Sequence, residues 1–538
     1  MSASAGTAPA PRAAAPQAPA HQGMANQGLT TRQWLGFMSM VLGMFMAILD
    51  IQIVSASMAE IQAGLSASPD EASWVQTSYL IAEIVMIPLS GFLSRLLSTR
   101  VLFTASAVGF TIASLACAFA TSLPVMAMLR AVQGFVGGAM IPTVFATTFL
   151  LFPGNRRTQA SVLIGLTATL APTVGPTLGG MLTDALSWHW LFLINVPVGA
   201  LVAFSVWRTI DIDRGDRRLL AHFDWWGLIA MAAFLGCLEY ALEEGPRWDW
   251  LDDPTVAACA AIAVVAGALF FHRALTRPEP IVDLRAYTDR NFAIGSLFAF
   301  LVGIALYGAV YLIPLFLGRI RGYNAMQIGE TMFVTGLAMF FASPIIGRLV
   351  RAFDIRVILA AGMGIMAVSL WLTARLTADS ALPTLWFPLA LRGVGTMMVM
   401  VPVNQVALGT LPPQRVKNAA GLYNLMRNLG GAFGLAFINT LVIDRGAFHR
   451  QHLAEAAGWG NDAAVQWLDK VAQGMAAHMD TAAAHAAALK RLSNLVMREG
   501  LVLAYNDVLV LMAALFLLAA PLVLLLRRPK PGGGGGAH

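Results

Sequence analysis

The chain has 538 residues, of which 57% are hydrophobic and only 12% charged, and its mean hydropathy is +0.68. A soluble protein of this size does not need that balance, so the composition points to a polytopic membrane protein. The net charge of +6 is no signature of nucleic-acid binding; its distribution over loops carries the information.

Residues 1–30 are Ala, Pro, Ser, Gly and Gln with almost no charge, and read as a disordered cytoplasmic tail. They lack the basic start followed by an apolar core of a cleaved signal peptide. Apolar segments then follow near 34–55, 71–92, 101–119, 124–150, 160–183, 189–207, 222–243, 254–272, 292–317, 327–350, 356–374, 383–410, 418–442 and 501–526. Each is close to the roughly 20 residues a helix needs to cross the hydrocarbon core. A helix satisfies its own backbone in lipid, and the alternation of a barrel strand is absent, so the fold class is all-α. The three cysteines, Cys117, Cys237 and Cys259, all fall in apolar runs and read as small buried hydrophobes, with no metal site expected.

Basic residues set the orientation. Arg95, Arg100, Arg156, Arg157, Arg348, Arg351, Arg415 and Lys417 gather in the short loops on the side of the N-terminus, which predicts that both termini are cytoplasmic. Residues 443–500 then form one large outer segment. It is alanine-rich, with apolar residues recurring at three and four, and is expected to hold one or two amphipathic helices. That segment reads either as a spacer or as a dock for a periplasmic partner. The end of the chain, 527–538, reads as a second disordered cytoplasmic tail.

The chain repeats itself. PLSGFLSRLLSTRVL from Pro88 matches PIIGRLVRAFDIRVI from Pro344, pairing Gly91 with Gly347, Arg95 with Arg351 and Arg100 with Arg356. LPVMAMLRAVQG and LPTLWFPLALRG likewise pair Pro124 with Pro383, and Arg392 repeats Arg130. Eight spans separate the copies, so a six-helix unit occurs twice in the same orientation, at 34–207 and 292–526, with two helices inserted at 222–272. Parallel repeats of this kind suit alternating access to a central site.

On these motifs the chain resembles a major facilitator, specifically the fourteen-helix EmrB/QacA type of drug:proton antiporter. LDIQIV (49–54), WVQTSYLIAEIVMIP (74–88), RAVQG (130–134), APTVGPTLGG (171–180), WHWLFLINVPVG (188–199) and RGVGTMMVMVP (392–402) carry the resemblance in order. The long loop before the last span favours the EmrB-like branch. The resemblance implies an inner-membrane pump in a Gram-negative host, a periplasmic adaptor docking at 443–500 and an outer-membrane channel. It implies lipophilic or cationic substrates exchanged for protons. No Walker lysine loop is present, so ATP is not the expected source; no cofactor is expected and the proton motive force drives transport.

The residues expected to do the work follow. Asp50 and Arg130 lie at similar depth inside apolar runs, where each is expensive unless paired or wet. Together with Glu83, mid-span in the second segment, they are the proton-coupling candidates; a permanent salt bridge between Asp50 and Arg130 is the alternative. Pro172, Gly175, Pro176, Gly179 and Gly180 read as a bend where helices pack closely, and match the family's antiporter motif, which implies a hinge or seal between rocking bundles. Arg392, Asn404, Asn424 and Arg427 are second-half polar candidates, with Arg427 expected to face carboxylates of that half. Glu239, Glu330, Gln405, Asn428, Asn506 and Asp507 are further mid-span polar residues. Tyr79, Tyr307, Tyr311, Phe340, Met397 and Met400 are candidates for a greasy cavity wall. Gly91, Arg95 and Arg100 lie in the inner gate loop. There the resembled family has an aspartate in place of Arg95 and a glycine in place of Ser98, so the gate must be latched otherwise or less tightly. It also often has Thr and Asn where this chain has Gln52 and Ser55. The leading expectation is proton-coupled export of hydrophobic or amphipathic toxic compounds. Export of one natural metabolite, such as a siderophore or fatty acid, and a non-transporting sensor or scaffold are the alternatives.

Overall fold

The computed structural model describes residues 30–152, 154–458 and 461–527, so the expected tails at 1–30 and 527–538 fall almost wholly outside the described residues. Fourteen helices are long and apolar enough to cross a membrane. They are α1 (Thr31–Ser55), α2 (Trp74–Leu97), α3 (Thr99–Cys117), α4 (Leu123–Leu151), α5 (Arg156–Ala185), α6 (Trp190–Thr209) and α7 (Trp225–Glu244). After them come α8 (Pro254–Thr276), α9 (Arg290–Arg319), α10 (Met326–Ala352), α11 (Ile355–Thr373), α12 (Leu382–Gly409), α13 (Pro413–Ala456) and α14 (Thr481–Leu525).

Their ends are set by local chemistry. Thr30 and Gln33 cap α1 reciprocally, and Asn324 and Gln327 do the same for α10. Between α2 and α3 the chain turns at once through Ser98, whose φ of 87° is a conformation that favours glycine. This is the position where the resemblance expects a glycine. Pro172 and Pro176 lie inside α5, which runs through both to Ala185, close to the end of the segment read at 160–183. A membrane helix tolerates such breaks where neighbours cover the freed carbonyls.

Helices α1 to α6 pack on one another, with α1 against α5 and α6, and α2 against α4. Helices α9 to α14 form a second group, with α9 against α13 and α12, and α11 against α12 and α14. The groups meet where α5 touches α10 and α12, and where α2 and α4 touch α13. Helices α7 and α8 pair with each other, and α7 lies against α2 and α13. The starts of both groups share one face with the first and last described residues. Arg32 at the start of α1 donates to the Arg208 carbonyl at 2.7 Å, and Asn291 at the start of α9 exchanges hydrogen bonds with Arg527 at 2.8 and 3.0 Å.

The segment 443–500 is more helical than its sequence suggested. Among the described residues it consists largely of the extensions of α13 and α14 and one helix between them (Asp462–Ala476). At about 1.5 Å per residue, the 44 residues of α13 span roughly 66 Å, about twice the hydrocarbon core. Both helices therefore project well past the bilayer. Alanine has the highest helix propensity, so the spans run on instead of stopping at the interface. The connecting helix buries Leu468 and Ala472 against Ala488 of α14.

The α7–α8 pair is pinned at the terminal face by Asp224, which accepts the Gly227 amide and pairs with Arg273. Burial alone would raise the Asp224 carboxyl, but the hydrogen bonds from Arg273 and Gly227 outweigh it and hold the group below its ordinary value. The sign follows from linkage: a carboxyl depressed on folding stabilises above its unfolded value, near ~3.9, and the contribution is lost as pH falls through the lower folded value. Asp224→Asn is expected to lower the melting temperature at pH 7, and the gap to wild type should close towards about pH 3 in a thermal-unfolding series.

Candidate functional site

A cavity of about 540 Å³ lies between the two groups of helices and α7. Its walls come from the end of α1 (Gln52, Ser55), the second half of α9 (Tyr307, Tyr311), the first half of α2 (Gln76, Glu83), α7 (Glu239, Glu243), and Asn428 of α13. Helices α1 and α9 both start on the terminal face, so the cavity occupies the opposite half of the molecule. Ser55 at its rim is exposed.

The terminal face is closed. A Cβ on Gly91 would come within 2.8 Å of the Asn418 Cα, so α2 and α13 are in backbone contact there. Asn418 holds the 277–289 loop, donating to the Asp283 carbonyl at 2.8 Å and accepting its amide at 3.1 Å. Lys417 pairs with Asp213 and donates to the Ser94 carbonyl at 2.9 Å. Asp213 also accepts the Thr99 amide at the start of α3, at 3.0 Å. Asp213, on the loop after α6, thus ties the start of α3 to the start of α13. Arg95 itself stacks on Phe92 at 5.7 Å, and Arg100 stacks on Trp207 at 5.0 Å.

Behind the cavity, inside the first group, lies the pair expected from the sequence. Arg130 Nη1 is 2.6 Å from the Asp50 carboxylate, and both side chains are fully buried. Gln133 donates to Asp50 at 3.2 Å and accepts from Arg130 at 2.8 Å. Asn195 of α6 donates to Asp50 at 2.7 Å and is itself held by Ser114 at 3.0 Å. Arg130 also donates to the Val75 carbonyl at 3.1 Å and lies 4.3 Å from the Tyr79 ring. Three side-chain donors, from Arg130, Gln133 and Asn195, thus converge on one carboxylate. Neither Asp50 nor Arg130 lines the cavity. Glu83 does, one turn along α2 from Tyr79, so α2 links the cavity wall to the buried pair.

Gly175 and Gly179 face α1 within the same group of helices. A Cβ on Gly175 would overlap the Gln52 side chain, and one on Gly179 would sit 2.9 Å from the Ile53 carbonyl. Pro176 lines the cavity, Pro172 lines a small adjoining recess, and Gly180 is half-buried. The contact of α5 with the second group includes Thr173 and Thr177, which face Gly336 and Gly329 of α10, and Val162, which faces Gly347.

The second-half candidates take different places. Arg427 does not face carboxylates of its own half. It lines the recess with Gln52 and Tyr307 and lies 5.3 Å from the Phe145 ring of the first group. Phe145 belongs to α4, so Arg427 reaches across the interface, and Glu83 of α2 is an acid within its electrostatic reach. Arg392 donates to Thr335 at 3.0 Å within the second group. Asn404 accepts from Tyr423, and Asn424 donates to the Ala420 carbonyl at 2.8 Å. Asp507 pairs with Arg445 and His449 near the outer extension, Asn506 binds the Leu376 backbone, and Glu330 is exposed. Of the aromatic and methionine candidates, Tyr307 and Tyr311 line the cavity. Tyr79, Met397 and Met400 are buried elsewhere, and Phe340 is exposed.

Sequence reasoning missed Glu243, Asn195 and Asp213. Asn195 carried a signal, as a lone amide in the apolar run WLFLINVPVG. Glu243 is the last residue of the apolar segment read at 222–243, and nothing in the sequence separates it from the polar stretch that follows.

Two packed groups of membrane-length helices around a largely apolar cavity that carries a few acids and is closed at one face define a polytopic helical transporter. Among the described residues no group of His, Cys, Asp or Glu could hold a metal ion. The chain belongs to the Major Facilitator Superfamily, whose profile matches residues 40–435, and its homology lies with EmrB/QacA-like multidrug transporters. It is 46% identical to the colistin resistance protein EmrB of Acinetobacter baumannii over 76% of this chain and 80% of that one. It is 30% identical to the multidrug export protein EmrB of Escherichia coli K12 over 88% and 92%. The fatty acid resistance protein FarB of Neisseria gonorrhoeae is 29% identical over 89% and 93%. In fold, the human organic anion transporter MFSD10 (TETRAN) superposes with a TM-score of 0.59 at 13% identity, covering 92% of this chain and 100% of that one.

Proposed function

We propose that the chain is a proton-coupled exporter of hydrophobic or amphipathic toxic compounds, working by alternating access in the inner membrane with both termini cytoplasmic. The observation that carries this reading is a cavity reached from one face, closed at the other by contacts between helix groups, with a buried Asp50–Arg130 pair behind it. The spans divide as six, two and six, since Pro88 and Pro344 occupy the second helix of each group, and Pro124 and Pro383 the fourth. Substrate and protons compete through α2: Glu83 exchanges protons with the cavity, and Tyr79 against Arg130 couples that change to Asp50. The Pro172–Gly180 stretch acts as the hinge that lets α5 move with α1 while sliding on α10. The projecting 443–500 region docks a periplasmic adaptor, which leads to an outer-membrane channel. The test is proton release on addition of substrate to everted vesicles. No release with any of a chemically varied panel overturns the reading. Export of a single carboxylic acid is disfavoured by a cavity wall that, among the described residues, carries Glu83, Glu239 and Glu243 and no basic side chain.

The Asp213–Lys417 pair takes over the inner latch. Asp213→Asn is expected to raise the alkylation rate of a cysteine placed at Ser94 several-fold, by opening the terminal face. A rate equal to that of the parent would show that the backbone contact at Gly91 closes this face unaided.

A further inference from the structure

Glu239 and Glu243 stand one helical turn apart on α7, and both line the cavity. Glu239 is 6% exposed, and its Oε2 has no hydrogen-bond partner among the described residues. The next acid, Glu244, is committed elsewhere: it accepts from Thr77 at 3.3 Å and from Trp248 at 3.1 Å, and lies 3.8 Å from Arg247. Facing Glu239 across the cavity are Glu83 of α2, Tyr307 and Tyr311 of α9, and Asn428 of α13. Among the described residues no Lys, Arg or His lines this space; the Arg427 guanidinium belongs to the adjoining recess.

A carboxylate in an apolar wall without a donor is costly, and a cation arriving beside it relieves that cost. The volume falls within the range of small-molecule sites. Aromatic rings across from the acid suit a cation whose charge is embedded in hydrocarbon. We propose that α7 carries a cation-recognition site, in which Glu239 together with Glu243 holds the charged group of a lipophilic organic cation while Tyr307, Tyr311 and Leu435 cover its hydrocarbon. The inference rests on the export reading above and adds that charge selectivity resides on a helix outside both repeats, apart from the Asp50–Arg130 pair.

The test is equilibrium binding to the purified full chain in lipid nanodiscs, with tetraphenylphosphonium against neutral triphenylphosphine oxide. Wild type is expected to bind the cation at least 10-fold more tightly. Glu239→Gln should weaken cation binding about 10-fold, Glu239→Asp should retain most of it, and Glu239→Gln/Glu243→Gln should abolish the preference. Glu244→Gln should behave as wild type. Equal binding of both compounds by wild type overturns the inference whether or not any variant folds, and so does an unchanged preference in the double variant. The two readings fail separately. Wild-type vesicles that exchange protons for neutral compounds without any preference for the cation sink only this site. Cation preference lost in the variants, with no proton exchange in wild-type vesicles, upholds the site and sinks the export reading.

Discussion

Arg130→Ala is expected to abolish proton-for-substrate exchange and to destabilise the first group of helices by about 3–5 kcal/mol, the usual cost of leaving a buried charge without its partner. The size follows from burial. Asp50 and Arg130 are both wholly inaccessible, so no water compensates for the lost guanidinium. Gln133 and Asn195 still donate to the carboxylate, but two neutral amides replace the stronger charge-assisted bond poorly. Arg130 also ties α4 to the Val75 carbonyl and the Tyr79 ring of α2, so its loss loosens a helix that reaches the cavity. A second variant separates stability from coupling. Asp50→Asn/Arg130→Ala removes both charges, and should recover much of the thermal stability while leaving proton exchange at background. Full exchange in either variant, measured with a pH dye in everted vesicles, would relegate the pair to a structural bridge.

The Asp50–Arg130 contact is legible in the residue order, because two opposite charges at one depth in apolar helices have little choice but to meet. The fourteen spans are legible because hydropathy over about 20 residues is a local property. What stays hidden depends on distant parts of the chain. Asp213 and Lys417 are 204 residues apart, and nothing near either one announces the other. Arg427 differs from its expected place because residue order gives no hint that α13 packs against α4 and brings it to Phe145. The edges of the outer segment are equally hard to read, since alanine-rich sequence continues a helix without the apolar signal by which spans are recognised.

Gly175→Val is expected to reduce export at least 10-fold while the protein still reaches the membrane. The first added carbon would already overlap the Gln52 side chain, and it would lie 3.5 Å from the Gln52 backbone. Overpacking of a close helix contact costs about 1–3 kcal/mol, and here α1 must move to relieve it. Gln52 lines both the cavity and the recess that holds Arg427, so the displaced side chain distorts the transport path directly. The same shift strains Asp50, two residues away on α1. Gly364 provides the comparison: a Cβ there meets no atom of the described residues within 4 Å, so Gly364→Ala should transport as wild type. Gly175→Ala should fall between the two, because one methyl needs a smaller displacement than three carbons. That graded order, read as initial efflux rates at equal expression, is what close packing of α5 on α1 demands. Equal rates for Gly175→Ala and Gly175→Val would mean that α1 yields freely there, and that the glycine serves the bend of α5 instead of its contact.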